Sequence, residues 1–347
     1  MSPQAVGSGQ PISNLLTVII TTSPTPSAPS TELISAIISS FRSNCDALLS
    51  CQVIVVFDTY DRIASHARLK KGHVTADAAS TFDLYKRNVK ELVLDEFREH
   101  DTERELARSQ GEAEFGYSGD ETNFVPFSTS QTVDNRVTFI EPSKRLGFGL
   151  AVRSALRLAK TPFVWVQQHD WPLATNILLE PLLDIMRVTE ANDDTPVRYV
   201  CLPSVRLLSY AESAHVVQFP VLKGLTASLK RNFVTDSGAS VPLTPMFFWH
   251  DKPHLASTEH YLSRVFPTRL SMLRGAFIED TIGQRARKQM KEGDWVKWAT
   301  WLYYPDNGRT LCLRHLQGRT WEGAEKESEK KALWRARNAQ KIINHPS

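Results

Sequence analysis

Two continuous apolar runs, "LLTVIITT" (Leu15–Thr22) and "CQVIVVFD" (Cys51–Asp58), bracket a stretch with apolar residues at helical spacing, "TELISAIISSFR" (Thr31–Arg42). β-Branched runs without alternation predict strands covered on both faces. The intervening "SPTPSAPS" predicts a loop, with Ser30 or Thr31 as the helix N-cap. Strand, helix and strand within about 45 residues make a βαβ unit, whose crossover renders the strands parallel.

From Tyr60 to about Asn135 the pattern changes. "STFDLYKRNVKELVLDEFREHDTERE" predicts a charged helix and "SQGEAEFGYSGDETNF" a loop, together a partly mobile insertion riding on the sheet. "RVTFIEPS" (Arg136–Ser143) resumes the core as a third strand. "RLGFGLAVRSALRLAKT" then predicts a glycine-rich turn and a helix from about Leu150, and "PFVWVQQHD" a fourth strand. "PVRYVCLPSVRLLS" predicts a fifth, broken at Pro203, and "TPMFFWHD" a sixth. Trp295, Trp298 and Trp301, three apart, predict one helix face packed in the core. "PDNG" (Pro305–Gly308) predicts a turn joining "TWLYY" to "RTLCLRHL" as a hairpin. Beyond Trp321, Glu322 with Lys326 and Glu327 with Lys331 have the i,i+4 spacing of an exposed helical tail.

Composition narrows the class. A chain of 347 residues, 41% hydrophobic, can bury a large core, as one large domain or two smaller ones. Charged residues make up 23% and the net charge is only +3, which argues against a nucleic-acid or membrane-surface partner. Cys45, Cys51, Cys201 and Cys312 lack finger or C-x-x-C spacing and suit a reducing compartment. The polar start, residues 1–14, reads as flexible and carries no signal peptide. No run approaches the roughly 18 apolar residues of a membrane span. The expectation is a cytoplasmic protein; oligomeric state has no signal.

Gly147 and Gly149 in "GFGLAV" do not make a dinucleotide fingerprint: the third glycine and the acid about 20 residues on are missing. They predict a tight turn instead. The strand ends carry more chemistry, because ligands of parallel α/β sheets sit outside the carboxyl ends of the strands. Thr21-Thr22-Ser23, Asp58, and Gln168-His169-Asp170 all fall there. A carboxylate in such a place can accept from a ribose hydroxyl or base N–H, or hold Mg²⁺ or Mn²⁺ beside a pyrophosphate. The bland reading of "QQHD" is a solvated strand terminus before a proline.

This order resembles the nucleotide-sugar-dependent glycosyltransferases of the GT-A fold, close to the inverting family two. "LTVIITT", "VIVVFD" and "RLGFGLAVRSALRLAKTPFVWVQQHDWPL" carry the resemblance over about Leu15–Leu173, with weaker support to about His315. It implies an α/β, Rossmann-type sandwich with a twisted, mainly parallel central sheet flanked by helices. One domain would span 15–321, divided into a nucleotide-sugar half (15–173, with the insertion at about 60–135) and an acceptor half (174–321), with 322–347 as the tail.

The resemblance also implies site residues. Thr22 and Ser23 would lie against the nucleotide, Asp58 would bind base or ribose, and Arg153 would sit near the diphosphate. Asp170 matches the second acid of the Asp-x-Asp metal motif, with Gln168 in the first acid's place. Mn²⁺ or Mg²⁺ would be held by Asp170 with help from His169 and, further on, His315. Glu279-Asp280 matches the acidic pair whose aspartate is the general base. Trp249, His250 and Asp251 would line an acceptor subsite. The implied partners are a UDP- or GDP-sugar and a glycan or other hydroxyl acceptor. Two other readings remain: a non-catalytic nucleotide- or glycan-binding domain, motivated by Gln168, and a metal-dependent hydrolase using His250 and His254. Pro253 between those histidines and the lack of H-E-x-x-H argue against the hydrolase.

Overall fold

The computed structural model describes residues 10–97, 105–116, 123–190 and 194–344. Among them the strands are β1 Leu16–Thr22, β2 Gln52–Phe57, β3 Arg62–Ile63, β4 His73–Val74 and β5 Leu106–Glu114. There follow β6 Phe124–Thr132, β7 Val137–Pro142, β8 Phe163–Gln168 and β9 Tyr199–Cys201. The last are β10 Arg231–Val234, β11 Ser240–Pro245, β12 His254–Ser257 and β13 Thr300–Tyr303. Apart from the small β3–β4 pair, they form one sheet in the order β10-β11-β13-β9-β12-β8-β1-β2-β7-β6-β5. Its centre, β8-β1-β2-β7, is parallel, and the pairings that extend it on both sides are antiparallel except for the parallel β9–β13 pair. The expected α/β sandwich around a central sheet is the fold observed.

The apolar runs decide that centre. Every residue of β1 is buried, and β2 and β8 are buried except at one end. Each fully buried Val or Ile contributes about 1.5–3 kcal/mol, so this register is strongly favoured over a slipped one. Helix α1 (Glu32–Asn44) carries the chain from β1 to β2, and α3 (Phe148–Leu158) carries it back from β7 to β8. The two crossovers run in opposite directions along the sheet, so right-handed connections put α1 and α3 on opposite faces.

Several expectations change. The insertion contributes to the core: α2 (Ala76–Phe97) buries Phe82, Tyr85, Val89, Val93 and Phe97, an i,i+3/i+4 stripe. The rest of the predicted charged helix, 98–104, and residues 1–9 of the predicted flexible start lie outside the described residues. The predicted loop "SQGEAEFGYSGDETNF" holds most of β5 and the first residue of β6, strands paired from Leu106–Thr132 to Glu114–Phe124; its residues 117–122 lie outside the described residues. β5 is an edge strand with most side chains solvated, so it has no apolar pattern; backbone pairing holds it.

The sixth strand ends at Pro245, before the buried Met246–Phe247, which belong to a loop. Trp295 and Trp298 occupy a four-residue helix and Trp301 lies in β13, because Ala299 between them is left-handed (φ 48°). All three rings are buried as expected, on two elements instead of one. The "PDNG" segment turns with Asp306 and Asn307 left-handed, but no hairpin follows. β13 pairs with β9 and β11, while Leu313 bridges to Leu173 and draws the next residues toward the end of β8.

Candidate functional site

The carboxyl ends of β1, β2 and β8 are adjacent by register: Thr21 pairs with Gln168 and Thr22 with Phe57. Asp58 N–H donates to Thr22 O (2.8 Å) and His169 N–H to Thr21 O (3.1 Å), continuing the ladders past the strands. Here a cavity of 680 Å³ opens, lined by Thr22, Ser23, Asp58, Gln168, His169 and Asp170 at the strand ends and by Asp251, Glu279, Asp280 and His315 from later in the chain. All but three of the predicted site residues therefore meet in one place.

At the first strand end, Asp58 is buried and its two carboxylate oxygens accept from the N–H groups of Leu146 (2.6 Å) and Gly147 (3.0 Å). Its principal contact is thus with the turn into α3. Gly147 permits that turn: its φ is +80°, and a Cβ there would lie 2.5 Å from Gly275 Cα. Burial pushes the Asp58 carboxyl up to about 6, against the lowering effect of these hydrogen bonds and Arg145.

Asp170 ties the end of β8 to residues 315–318. Its Oδ2 accepts from Gly318 N–H (2.8 Å) and lies 3.1 Å from His315 Nε2. Trp171 stacks on the His315 ring at 4.1 Å, fixing its orientation. Leu316 N–H donates to Asp170 O (2.8 Å) and Arg314 N–H to Pro172 O (3.1 Å), so residues 313–318 run alongside the end of β8. Burial alone would raise the Asp170 carboxyl; the His315 hydrogen bond, the two histidines and Gly318 N–H together bring it below the ordinary value.

The expected metal role of His169 does not fit its surroundings. Ser23 N–H donates to Nδ1 (3.3 Å), and Thr22 Oγ1 lies 2.8 Å from the same atom. The Nε2 edge is closed by Gly318, where a Cβ would approach it to 2.6 Å. Burial pushes this imidazole down, keeping it neutral. His169 joins β1 to β8; Tyr85 of α2 extends the link, 2.5 Å from Thr22 Oγ1. Among the described residues no three His, Cys, Asp or Glu side chains gather to hold an ion. The His250–His254 pair is otherwise engaged: His250 Nδ1 faces Glu279 (3.4 Å), and the buried His254 has Nδ1 2.6 Å from Lys252 O. Asp170 and His315 remain as a pair of ligands that fits a divalent cation completing its shell with diphosphate and water oxygens.

Gly318→Ala should therefore cost about 1–3 kcal/mol by overpacking, since the buried His169 ring cannot retreat. It should also weaken any Mn²⁺-dependent nucleotide binding, because Gly318 N–H and His315 move with that segment. Thermal melts and titrations with Mn²⁺ check both; an unchanged protein would refute the packing argument.

Gln168 has a local reason to be an amide: its Nε2 donates to Asp251 O (2.6 Å), a bond that a carboxylate cannot make. Beyond Asp251, Glu279 heads a π-helical turn, Glu279–Gly283. Its Oε2 faces His250 Nδ1 (3.4 Å) and Asp251 N–H (3.5 Å). The His250 hydrogen bond leads in holding Glu279 below the ordinary carboxylate range, while burial keeps His250 itself near 4 and neutral. Asp251 is pushed well up, first by burial and then by Glu279. Asp280 is exposed.

Arg153, Trp249 and His250 do not line the cavity. Phe148 and Ala151 are the α3 residues that do, and Arg153 lies about 200° around the helix from Ala151. It is buried 5.9 Å from the Phe266 ring. The Trp249 ring is wholly buried against Tyr199 (4.3 Å) and Tyr261 (4.9 Å), so it offers no sugar platform. His250 stands behind Glu279. Sequence reasoning missed the cavity's cations: Lys70, Arg145, Arg206, Lys252 and Arg319. Only Arg319, four residues past His315, had a positional signal.

No protein-family model and no curated protein matches the sequence. Solved structures similar to it include S. aureus TarS (TM-score 0.42, 9% identity, 86% of this chain and 36% of that one). S. aureus TarS 1-349 in complex with UDP gives 0.40 and 9%, over 86% and 59%. The mannosyltransferase PcManGT from Pyrobaculum calidifontis, in complex with GDP-Man and Mn²⁺, gives 0.37 and 13%, over 85% and 58%. The chain thus spans less than two thirds of the length of each.

Proposed function

We propose that this chain is a glycosyltransferase that moves a sugar from a UDP- or GDP-linked donor to a hydroxyl of a glycan or other acceptor. The observation that carries the reading is the Asp170–His315 pair, 3.1 Å apart in a cavity at the carboxyl end of parallel strands. Bound there, Mn²⁺ or Mg²⁺ would supply Lewis-acid stabilisation of the departing diphosphate. Ser23 and Asp58, backed by Thr22, form the nucleoside end, where a hydroxyl and a carboxylate meet ribose and base. Arg319, over the Phe277 ring at 5.1 Å, is a cation available to the diphosphate.

Glu279 and Asp280 line the same cavity as this pair and would form its acceptor side. Glu279 has one oxygen held by His250 and the Asp251 N–H, which suits it to orienting the acceptor hydroxyl. Asp280, solvated and outside that network, takes the proton as general base for in-line attack with inversion. Asp280→Asn should lower transfer by about 10²-fold or more while leaving nucleotide affinity unchanged. Glu279→Gln should act mainly on the acceptor KM. Undiminished transfer by Asp280→Asn would remove its assignment as base.

Calorimetric titration of UDP and GDP with and without Mn²⁺, followed by donor hydrolysis and transfer assays, tests the whole reading. No nucleotide binding in either condition would sink it. Binding without turnover across a donor panel would favour a non-catalytic nucleotide-binding domain. That second reading began from Gln168, whose amide has a structural task of its own.

A further inference from the structure

β5 ends the sheet, and among the described residues no strand lies beyond it. Its nine residues, Leu106–Glu114, pair with β6 in unbroken register and include no proline. An exposed edge of that length is a template for another strand unless shortness, a bulge, proline or charge blunts it. The opposite edge, β10, has only four residues. β5 has charge alone, and its charges match themselves in one register.

Two backbone bonds fix which groups of β5 point outward. Phe115 N–H donates to Asn123 O (2.9 Å), so the odd-numbered residues of β5 are the ones bonded to β6. Ser143 N–H donates to Pro126 O (2.9 Å), so the even-numbered residues of β6 bond to β7 and its odd ones face β5, the same parity. Leu106, Arg108, Gln110, Glu112 and Glu114 therefore direct both N–H and C=O away from the sheet. Their side chains share one face, and those of Arg108, Gln110 and Glu112 are exposed. Glu114 is engaged by Arg157 (3.2 Å). Among the described residues Arg108 and Glu112 form no ion pair within the chain.

We propose that β5 pairs antiparallel with β5 of a second copy of this chain, about a two-fold axis at Gln110, joining two sheets into one. That register sets Arg108 opposite Glu112 of the partner subunit, and by symmetry the reverse, so two opposite-charge pairs close while all five outward residues find backbone partners. Sliding by two residues one way opposes Arg108 to Gln110 of the partner subunit and leaves Glu114 unpaired. Sliding the other way opposes Arg108 to Glu114 of the partner subunit, a carboxylate already held by Arg157, and leaves Leu106 unpaired. Parallel pairing in register would set arginine on arginine and glutamate on glutamate. Opposite charges directly across a strand pair stabilise it and like charges destabilise it, so one register is selected. The axis is perpendicular to the sheet and isologous, which closes the assembly at two copies. It also points the strand ends of β1, β2 and β8 in opposite directions in the two copies, so each cavity is complete within one chain. The pairing does not depend on the chemistry of that cavity.

Sedimentation velocity of the full chain should show a dimer at about 100 µM. Arg108→Glu and Glu112→Arg should each set like charges across the axis and raise the dimer dissociation constant at least about tenfold. Mixing the two variants, or combining both changes in one chain, should restore the dimer, because opposite charges then face each other again. Gln110→Pro should also separate the copies while leaving the fold intact, since its N–H points away from β6. Circular dichroism like that of wild type would show each single variant to be folded. A wild type that stays monomeric at that concentration would overturn the proposal. So would a dimer that persists in the single variants, or a charge swap that fails to restore association.

Discussion

Asp170→Ala should lower metal-supported transfer by about 10³-fold, the several kcal/mol of charge stabilisation expected from a Lewis acid at the departing diphosphate. Asp170 and His315 are the two ligand side chains that converge, so losing the acid leaves one imidazole for the ion. The same substitution also removes the acceptor for Gly318 N–H, which alone would loosen residues 313–318. Asp170→Asn separates the two effects, since its carbonyl oxygen can still accept from Gly318 while the negative charge is gone. The charge argument expects Asn to be nearly as impaired as Ala, but more stable than Ala. Nucleotide binding in EDTA should be alike in all three proteins, and only the gain on adding Mn²⁺ should disappear. Full turnover by either variant would detach Asp170 from metal chemistry.

The central sheet was legible because its strands are continuous β-branched runs, and such runs have one good burial solution. The strand-end residues followed from it: once β1, β2 and β8 are parallel neighbours, Thr22, Asp58 and Asp170 must lie together. The wings were not legible. β5 is solvated along most of its length, and its place depends on pairing with β6 and β7 far along the chain. His315 reached Asp170 for a reason that no local pattern encodes, the Leu173–Leu313 bridge. Trp249 and His250 were expected to line an acceptor subsite; in fact their loop runs through the core, because β12 beside it packs antiparallel to β8. Arg153 failed for a simpler reason. Periodicity identified its helix but not which side of α3 turns toward the cavity.

Asp58 should make the protein lose stability as pH rises from about 4 to about 6. Its folded carboxyl is raised to about 6 from an ordinary 3.8, so the folded state holds the proton more tightly than the unfolded chain. The contribution is fully present below 3.8 and is gone above 6, about 3 kcal/mol in order of magnitude. Glu141 and Asp170, both held below their ordinary values, work in the opposite direction at lower pH. The readout is therefore the difference between wild type and Asp58→Asn in chemical denaturation, not the wild-type curve alone. Wild type should be more stable relative to the variant at pH 4 than at pH 7; parallel profiles would contradict the burial argument. Asp58→Ala should be worse than Asn at either pH, because it leaves the buried N–H groups of Leu146 and Gly147 without an acceptor, about 1–3 kcal/mol each. If the nucleoside donates to the same carboxylate, ligand binding stabilises the ionised form. Nucleotide affinity should then weaken below about pH 6 in wild type and not in Asp58→Asn.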